Sequence, residues 1–157
     1  MGRLKIETGG FTLVEILVSL AIIGIIAAIG VGALGNQNQS TALSLEAEKI
    51  VSLLGKARAQ TLSAKDGAAY GVHLEEKRAV LFKGGAYSAS DPSNRTQALH
   101  NAIKISSISL AGGGVEVVFQ KLSGKTAQSG TITLSRAGNA LASTTITITA
   151  TGSVYRD

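Results

Sequence analysis

Residues 11–34 read FTLVEILVSLAIIGIIAAIGVGAL, and Glu15 is the single charged residue among them. At a rise of about 1.5 Å per residue, a helix of about 20 apolar residues matches the roughly 30 Å hydrocarbon core of a bilayer. In water, a helix that is apolar on every side must be buried on every side, and the rest of a 157-residue chain is too small to do that. The stretch therefore predicts a membrane-spanning helix.

The flanks of this stretch predict its orientation. Arg3 and Lys5 precede it, whereas residues 35–41 carry no charge. The positive-inside tendency then places the N-terminus in the cytoplasm and the bulk of the chain outside. A cleaved secretory signal peptide fits less well, because the apolar region is too long and no A-x-A-like site follows it.

Glu15 is the exception within the apolar stretch. On insertion scales a carboxylate costs about 2.5–3.5 kcal/mol at the centre of a bilayer. Either it lies close enough to the cytoplasmic end for its side chain to reach the headgroups, or it has a function that offsets this cost.

Helical periodicity resumes beyond the apolar stretch. Residues 35–66 are predicted to continue the helix to about Lys65, with Asp66-Gly67 as its stop. Steps of four, three, four and three residues place a set of apolar side chains on one stripe, which is the expected seat for a β-sheet. The members of the stripe are Leu43, Ala47, Ile50, Leu54 and Ala57.

Residues 67–157 have the pattern of a β-rich head, with short β-branched or alternating runs between turn residues. Residues 88–95 (SASDPSNR) are predicted to form a loop. The predicted strands are Ala69–Leu74, Arg78–Lys83, Ile103–Leu110, Val115–Phe119, Gly130–Leu134 and Thr144–Ala150. The fold class is therefore α+β: a long N-terminal helix, membrane-spanning in its first half, packed on a C-terminal antiparallel sheet or sandwich.

Nothing in the composition or in the spacing of polar residues argues for catalysis. The chain has 15 Lys and Arg against 10 Asp and Glu, a formal charge of +5 without basic runs, and no cysteine. Disulfides and thiolate metal sites are thereby excluded. His73 and His100 are isolated, and the carboxylates have no spacing suited to acid–base chemistry. We expect no catalytic residue, no metal and no cofactor.

Residues 9–15 (GGFTLVE) closely resemble the processing signature of type IV prepilins. The resemblance implies that residues 1–10 are a leader, which a prepilin peptidase removes by cleaving between Gly10 and Phe11 before Phe11 is N-methylated. It also implies that Glu15, the fifth residue of the mature chain, pairs with the N-terminal ammonium of a neighbouring subunit during assembly. The implied partners are the peptidase, the inner membrane and other pilin or pseudopilin subunits, contacted through the N-terminal helix.

The remainder resembles the GspH/FimT branch of pilin-like proteins. The similarity lies in residues 46–83, 115–119, 123–124 and 130–134. In that branch the last strand often ends in Gly-Arg-x-Arg, and the equivalent here is Gly152–Arg156 with Ser153 at the first arginine position. The resemblance implies a minor pilin or pseudopilin. Such a subunit is single-pass in the inner membrane and is extracted into a type IV pilus or a type II secretion pseudopilus, where it acts in assembly or initiation.

Two other functions remain open. One is a FimT-like minor pilin that captures DNA for uptake, although Ser153 removes one expected phosphate contact. Its candidate DNA contacts are Lys121, Lys125, Arg136 and Arg156. The other is a plain membrane-anchored β-domain in which the prepilin-like signature is accidental.

Overall fold

The computed structural model describes residues 10–157, apart from the side chains of 29–40 and 139–141. The first compact unit ends at Asn38 and the second, which we call the head, comprises Gln39–Asp157. Helix α1 (Leu13–Leu62) contributes residues to each unit. Within the described residues, no helix combines the length and the apolar character needed to cross a membrane. Part of the predicted span 11–34 lies outside the described side chains.

Eight strands follow a short 3-10 turn at Lys65–Gly67, and they form two four-stranded antiparallel sheets. The first sheet has the order β3-β2-β1-β5 and consists of β1 (Tyr70–Glu75), β2 (Arg78–Lys83), β3 (Arg95–Ala98) and β5 (Glu116–Val118). The second has the order β4-β6-β7-β8 and consists of β4 (Ile103–Leu110), β6 (Gly130–Arg136), β7 (Asn139–Ile148) and β8 (Val154–Arg156).

The predicted helical stripe is the centre of the head core. All five of its side chains are buried, and four of them are fully inaccessible. They share one apolar cluster with inward-facing residues of both sheets, among them Val72 and Leu74 of β1 and Ile132 and Leu134 of β6. The α+β class predicted from the sequence, with a helix packed on antiparallel sheets, is confirmed.

Thr61 connects the last turn of α1 to the first strand. Its side chain is fully buried, and its hydroxyl donates to the carbonyl of Ala57 at 2.9 Å. The same hydroxyl accepts a hydrogen bond from the backbone N–H of Tyr70, also at 2.9 Å. A buried polar group is tolerated when it is hydrogen-bonded in this way, and here it fixes where β1 begins against the helix.

The C-terminal boundary of the helix differs from the prediction. α1 ends at Leu62, and not near Lys65. Ala64 and Asp66 have φ values of 49° and 51°, in the left-handed region. Such residues break the regular hydrogen-bond ladder, so the chain leaves the helix as a 3-10 turn before β1.

Several strand assignments also differ from the prediction. Arg95 was expected at the end of a loop, but it begins β3 and pairs with Leu81 of β2. β7 begins at Asn139, five residues before the predicted strand, because it continues directly from the turn after β6. β8 was not predicted. β3 (RTQA) is polar and β8 has three residues, so neither produces the apolar alternation by which strands are recognised in a sequence.

We predict that Leu54→Ala lowers the free energy of unfolding of the head by about 2–5 kcal/mol, because it leaves a cavity in the cluster shared by the helix and both sheets. The measurement is urea unfolding of the purified chain, followed by far-ultraviolet circular dichroism. Leu45→Ala is the matched control, because Leu45 lies on the same helix but is 57% exposed. Equal losses for the two variants would contradict a core centred on the stripe.

Candidate functional site

The processing signature meets the start of α1. Gly10 and Phe11 are exposed and precede the helix. Thr12 caps the helix, since its hydroxyl oxygen accepts a hydrogen bond from the backbone N–H of Glu15 at 3.2 Å. The peptide bond between Gly10 and Phe11 therefore lies just before the first helical turn, on accessible backbone.

Glu15 occupies the third helical position, in a Thr-x-x-Glu pattern typical of a helix start. Its backbone N–H donates to the Thr12 hydroxyl, and such an N-cap contributes about 1 kcal/mol. A carboxylate in the first turn is also favoured by the helix dipole. This role at the helix start was not predicted beside the assembly role of Glu15, although the Thr-x-x-Glu spacing signals it.

The first part of α1 presents apolar side chains on every side. Every described side chain from 11 to 28 is exposed, including a series of large apolar ones such as Leu17, Ile22 and Ile26. No described residue of this unit covers them. A contiguous apolar surface of this kind marks a region that contacts lipid or other chains.

A basic loop lies at one end of the head, and we call residues 120–125 the basic tip. Two backbone hydrogen bonds close it: Gln120 N–H donates to the Lys125 carbonyl at 2.8 Å, and Gly124 N–H donates to the Gln120 carbonyl at 2.9 Å. The Lys121 ammonium donates to the carbonyl of Gly67. Within the described part of the chain, neither Lys121 nor Lys125 forms an ion pair.

Leu122 stands at the apex of the basic tip. It is 90% exposed, and its φ of 65° lies in the left-handed region. A leucine in this conformation costs on the order of 1 kcal/mol relative to a glycine, and it buries no apolar area within the chain to offset that cost. The position therefore meets neither the backbone preference nor the burial preference of a leucine.

Arg58 and Gly152 hold the basic tip against the helix and the second sheet. Arg58 Nε donates to the Gly124 carbonyl at 3.1 Å. Gly152 has a φ of +81°, and a Cβ there would lie 1.9 Å from the Gly124 carbonyl oxygen. Only glycine permits this approach. Arg58 was not among the residues predicted from the sequence, because nothing local distinguishes it from other helical cations.

The four candidate DNA contacts do not lie in one place. Lys121 and Lys125 share the basic tip, where Arg58 joins them. Arg156 lies further along, with its Nη1 donating to the Ser44 carbonyl at 3.2 Å. Arg136 ends β6, six residues beyond Gly130, or about 20 Å along a strand.

A polar cleft of about 370 Å³ lies beside the end of α1. The hydroxyl of Tyr70 donates to Asp66 Oδ2 at 2.8 Å, and the Lys83 ammonium lies 3.7 Å from the same oxygen. The hydrogen bond, followed by the lysine charge, lowers the pKa of the Asp66 carboxyl. Burial, and then the carboxylate, raise the pKa of the Tyr70 hydroxyl. These contacts stabilise the turn after the helix, and they do not assemble a nucleophile with a base.

His73 serves a local packing role. Its ring stacks on Tyr87 with centroids 4.0 Å apart, and its Nδ1 lies 3.2 Å from Glu116 Oε1. Glu116 Oε2 also accepts a hydrogen bond from the backbone N–H of Tyr87. Together these contacts hold the loop after β2 against the outer face of the first sheet. Among the described residues, no group of His, Asp and Glu side chains has the arrangement of a metal site.

Two comparisons with known proteins agree with these features. Residues 8–31 match the prokaryotic N-terminal methylation motif, which implies processing by a prepilin peptidase. The fold is similar to the crystal structure of the type IV minor pilin FimU from Pseudomonas aeruginosa, with a TM-score of 0.56 and 16% identity, over 73% of this chain and 92% of that one. No curated protein matches the chain in sequence. The chain thus combines a prepilin-type N-terminal motif with a fold similar to that of a type IV minor pilin.

We predict that Gly152→Ala lowers the free energy of unfolding by at least about 2 kcal/mol, because it combines a disfavoured backbone conformation with a clash against Gly124. Gly112→Ala is the matched control. Gly112 has the same φ of +81°, but a Cβ there meets nothing within 4 Å. The measurement is urea unfolding of both variants beside the parent chain. Equal destabilisation would mean that the approach of Gly152 to Gly124 contributes nothing beyond the backbone conformation.

Proposed function

We propose that this chain is a minor pilin or pseudopilin of the GspH/FimT branch, a structural subunit that acts in assembly or initiation of a type IV pilus or a type II secretion pseudopilus. In this proposal a prepilin peptidase removes residues 1–10 and Phe11 becomes the methylated N-terminus. The segment 11–34 anchors the chain in the inner membrane, and the head lies outside.

The proposal rests on three features that occur together at the N-terminus: the methylation motif, an accessible cleavage site and an apolar helix. The methylation motif coincides with an accessible Gly10–Phe11 bond, immediately before a capped helix. The helix then presents apolar side chains on all sides. Such a surface suits a segment that moves from lipid into a bundle of similar helices, because both surroundings are apolar. The second unit, the head, has a fold similar to that of a type IV minor pilin.

Glu15 has a specific task in this mechanism. Cleavage creates a cationic N-terminus at Phe11, and a charge of either sign is costly in an apolar bundle unless it is paired. When the carboxylate of one subunit meets the N-terminal ammonium of its neighbour, their attraction offsets much of the free energy needed to bury each charge. Pairing therefore favours the docked subunit over a subunit left in the bilayer, which gives assembly a direction.

We predict that co-expression with an active prepilin peptidase shortens the chain by residues 1–10 and adds a methyl group to Phe11, measured by intact-mass analysis. Glu15→Ala is expected to be processed like the parent chain, because the cleaved bond lies outside the helix. Its incorporation into sheared filaments or purified pseudopili is expected to fall at least about tenfold, since the pairing partner of the N-terminal ammonium is gone.

An inactive peptidase is the control for cleavage, and Glu15→Asp, which keeps the charge and the helix-start chemistry, is the control for incorporation. A full-length mass beside the active enzyme would overturn the proposed function. Normal incorporation of Glu15→Ala would overturn only the role given to Glu15.

The second candidate function is DNA capture by a FimT-like minor pilin, and the basic tip favours it. Arg58, Lys121 and Lys125 supply three cationic side chains around one protruding loop. Phosphate contacts act additively, so a cluster binds nucleic acid better than the same charges spread over the surface. Arg136 and Arg156, which lie apart from the tip, would contribute less to a single DNA contact.

Under this second function, we predict that the paired change Lys121→Ala/Lys125→Ala weakens DNA binding and reduces the slope of log affinity against log salt by roughly 1.8 for duplex DNA. The measurement is fluorescence anisotropy of a labelled duplex with the full chain in detergent, across a salt series. Arg136→Ala is the control, because it removes one cation far from the tip. Undetectable DNA binding by the parent chain at low salt would exclude this second function, and the assembly role would be the remaining candidate.

A further inference from the structure

We propose that the polar cleft beside the end of α1 is a binding site for a phosphate group. The inference goes beyond the proposed function, because it requires neither processing nor assembly of the chain. It gives a binding role to Lys65 and Arg95, which none of the observations above assigns.

The topology of the first sheet brings cations to one of its ends. Its strands have the order β3-β2-β1-β5 with antiparallel neighbours, so the start of β3, the end of β2, the start of β1 and the end of β5 lie side by side. Arg95 is the first residue of β3, and Lys83 is the last residue of β2. Lys65 belongs to the 3-10 turn before β1, and Lys121 follows β5 by three residues. Four separate parts of the chain thus supply a positive charge to the same end of the sheet.

The cleft gathers three of these cations around one cavity of about 370 Å³. Its lining includes the three cations and two buried apolar side chains: Lys65, Lys83, Arg95, Leu81 and Phe82. Lys121 lies beside it, because its ammonium donates to the carbonyl of Gly67, the residue after Asp66. Charges around a partly apolar cavity are screened less than charges on an open surface, so they attract an anion more strongly.

The carboxylates at this end of the sheet already have partners. Asp66 Oδ2 accepts a hydrogen bond from the Tyr70 hydroxyl at 2.8 Å and lies 3.7 Å from the ammonium of Lys83. Asp91 Oδ1 accepts hydrogen bonds from the backbone N–H and the hydroxyl of Ser93, at 2.8 and 2.6 Å. The four cations therefore face two carboxylates, which leaves a surplus of two positive charges.

Lys65 and Arg95 are exposed cations at the cleft that remain unpaired. Neither forms an ion pair among the described residues, and neither side chain donates to a backbone carbonyl there. The dipole at the end of a helix attracts cations, which accounts for a lysine just after α1 but not for an arginine from β3. A guanidinium presents a planar set of donors that fits two oxygens of a phosphate, and a lysine adds a point charge.

The surplus charge favours a phosphate over a carboxylate as the ligand. A phosphate monoester carries a charge of about −1.5 to −2 at pH 7, which balances the surplus, whereas a carboxylate carries about half as much. The cavity volume is within the range of pockets for small molecules, so it has room for the group to which the phosphate is attached. A small phosphorylated molecule and a nucleic-acid backbone both supply this chemistry.

One wall of the cleft is a loop with a defined backbone. Asn94 lines the cleft, and its Nδ2 donates to the Ser88 carbonyl at 2.7 Å. The backbone N–H of Asn94 donates to the Asp91 carbonyl at 3.2 Å. Tyr87, earlier in the same loop, stacks on His73 of β1. The wall is therefore formed without a ligand, which lowers the entropy lost on binding.

The test is isothermal titration calorimetry of the full chain in detergent with inorganic phosphate, in a low-salt buffer without other phosphate. We expect saturable binding at least about fivefold tighter than that of acetate at the same ionic strength. Lys65→Ala/Arg95→Ala is expected to weaken phosphate binding at least about tenfold, because it removes the unpaired cations. Lys56→Ala/Arg136→Ala is the matched control, since it removes two cations that do not line the cleft.

Two further titrations, with glycerol 3-phosphate and with duplex DNA, identify the source of the phosphate. A parallel loss of phosphate and DNA affinity in Lys65→Ala/Arg95→Ala would support the site and indicate a nucleic-acid backbone. Loss of glycerol 3-phosphate binding without a change in DNA affinity would support the site and indicate a small phosphorylated molecule. The inference would be overturned by a lack of saturable phosphate binding, by acetate binding as tightly as phosphate, or by an equal loss in the control pair.

Discussion

The head depends on the burial of one stripe of α1 against both sheets. The chain has no disulfide and few aromatic residues, so its core consists mainly of aliphatic side chains that share a single cluster. Five helical residues occupy the middle of that cluster: Leu43, Ala47, Ile50, Leu54 and Ala57. The two alanines keep the stripe narrow, which suits short strands packed closely against the helix. Without this stripe, each small sheet would lack the apolar surface that it needs to remain folded.

Two further connections place the functional surfaces relative to this core. Thr61 ties the end of the helix to the first strand, and Arg58 ties the helix to the loop that carries Lys121 and Lys125. The close approach of Gly152 to Gly124 then brings the turn between β7 and β8 against the same loop. The position of the basic tip is therefore set by Arg58 and Gly152, which are distant in sequence from the tip and from each other. A loop held in this way presents the same surface to each partner, which lowers the entropy lost on binding.

The sequence predicted features that repeat with a local period, and it missed those that depend on distant contacts. The stripe on α1 and the hairpin of β1 and β2 follow from periods of 3.6 and 2, and both are present. β3 and β8 are strands because a neighbour supplies hydrogen-bond partners, and their own residues carry no strand pattern. Arg58 joins the basic tip through a residue 66 positions away, which no local pattern reveals. Thr12 is different, since its capping role was readable from the Thr-x-x-Glu spacing.

Leu122 and the first part of α1 both leave apolar side chains exposed to solvent, one as a single residue and the other as a long segment. Each exposes apolar surface that the described part of the chain does not cover, and Leu122 also accepts a disfavoured backbone conformation. In most of a folded protein, the backbone conformation, the burial and the packing of a residue all suit its side chain. A residue that is unfavourable in several of these respects is typical of a site that contacts another molecule. The first part of the helix supplies a large apolar surface. Because this surface is similar on every side, it does little to fix the orientation of a partner. Leu122 supplies little apolar area, but Arg58 and Gly152 hold its loop in a defined place on the head.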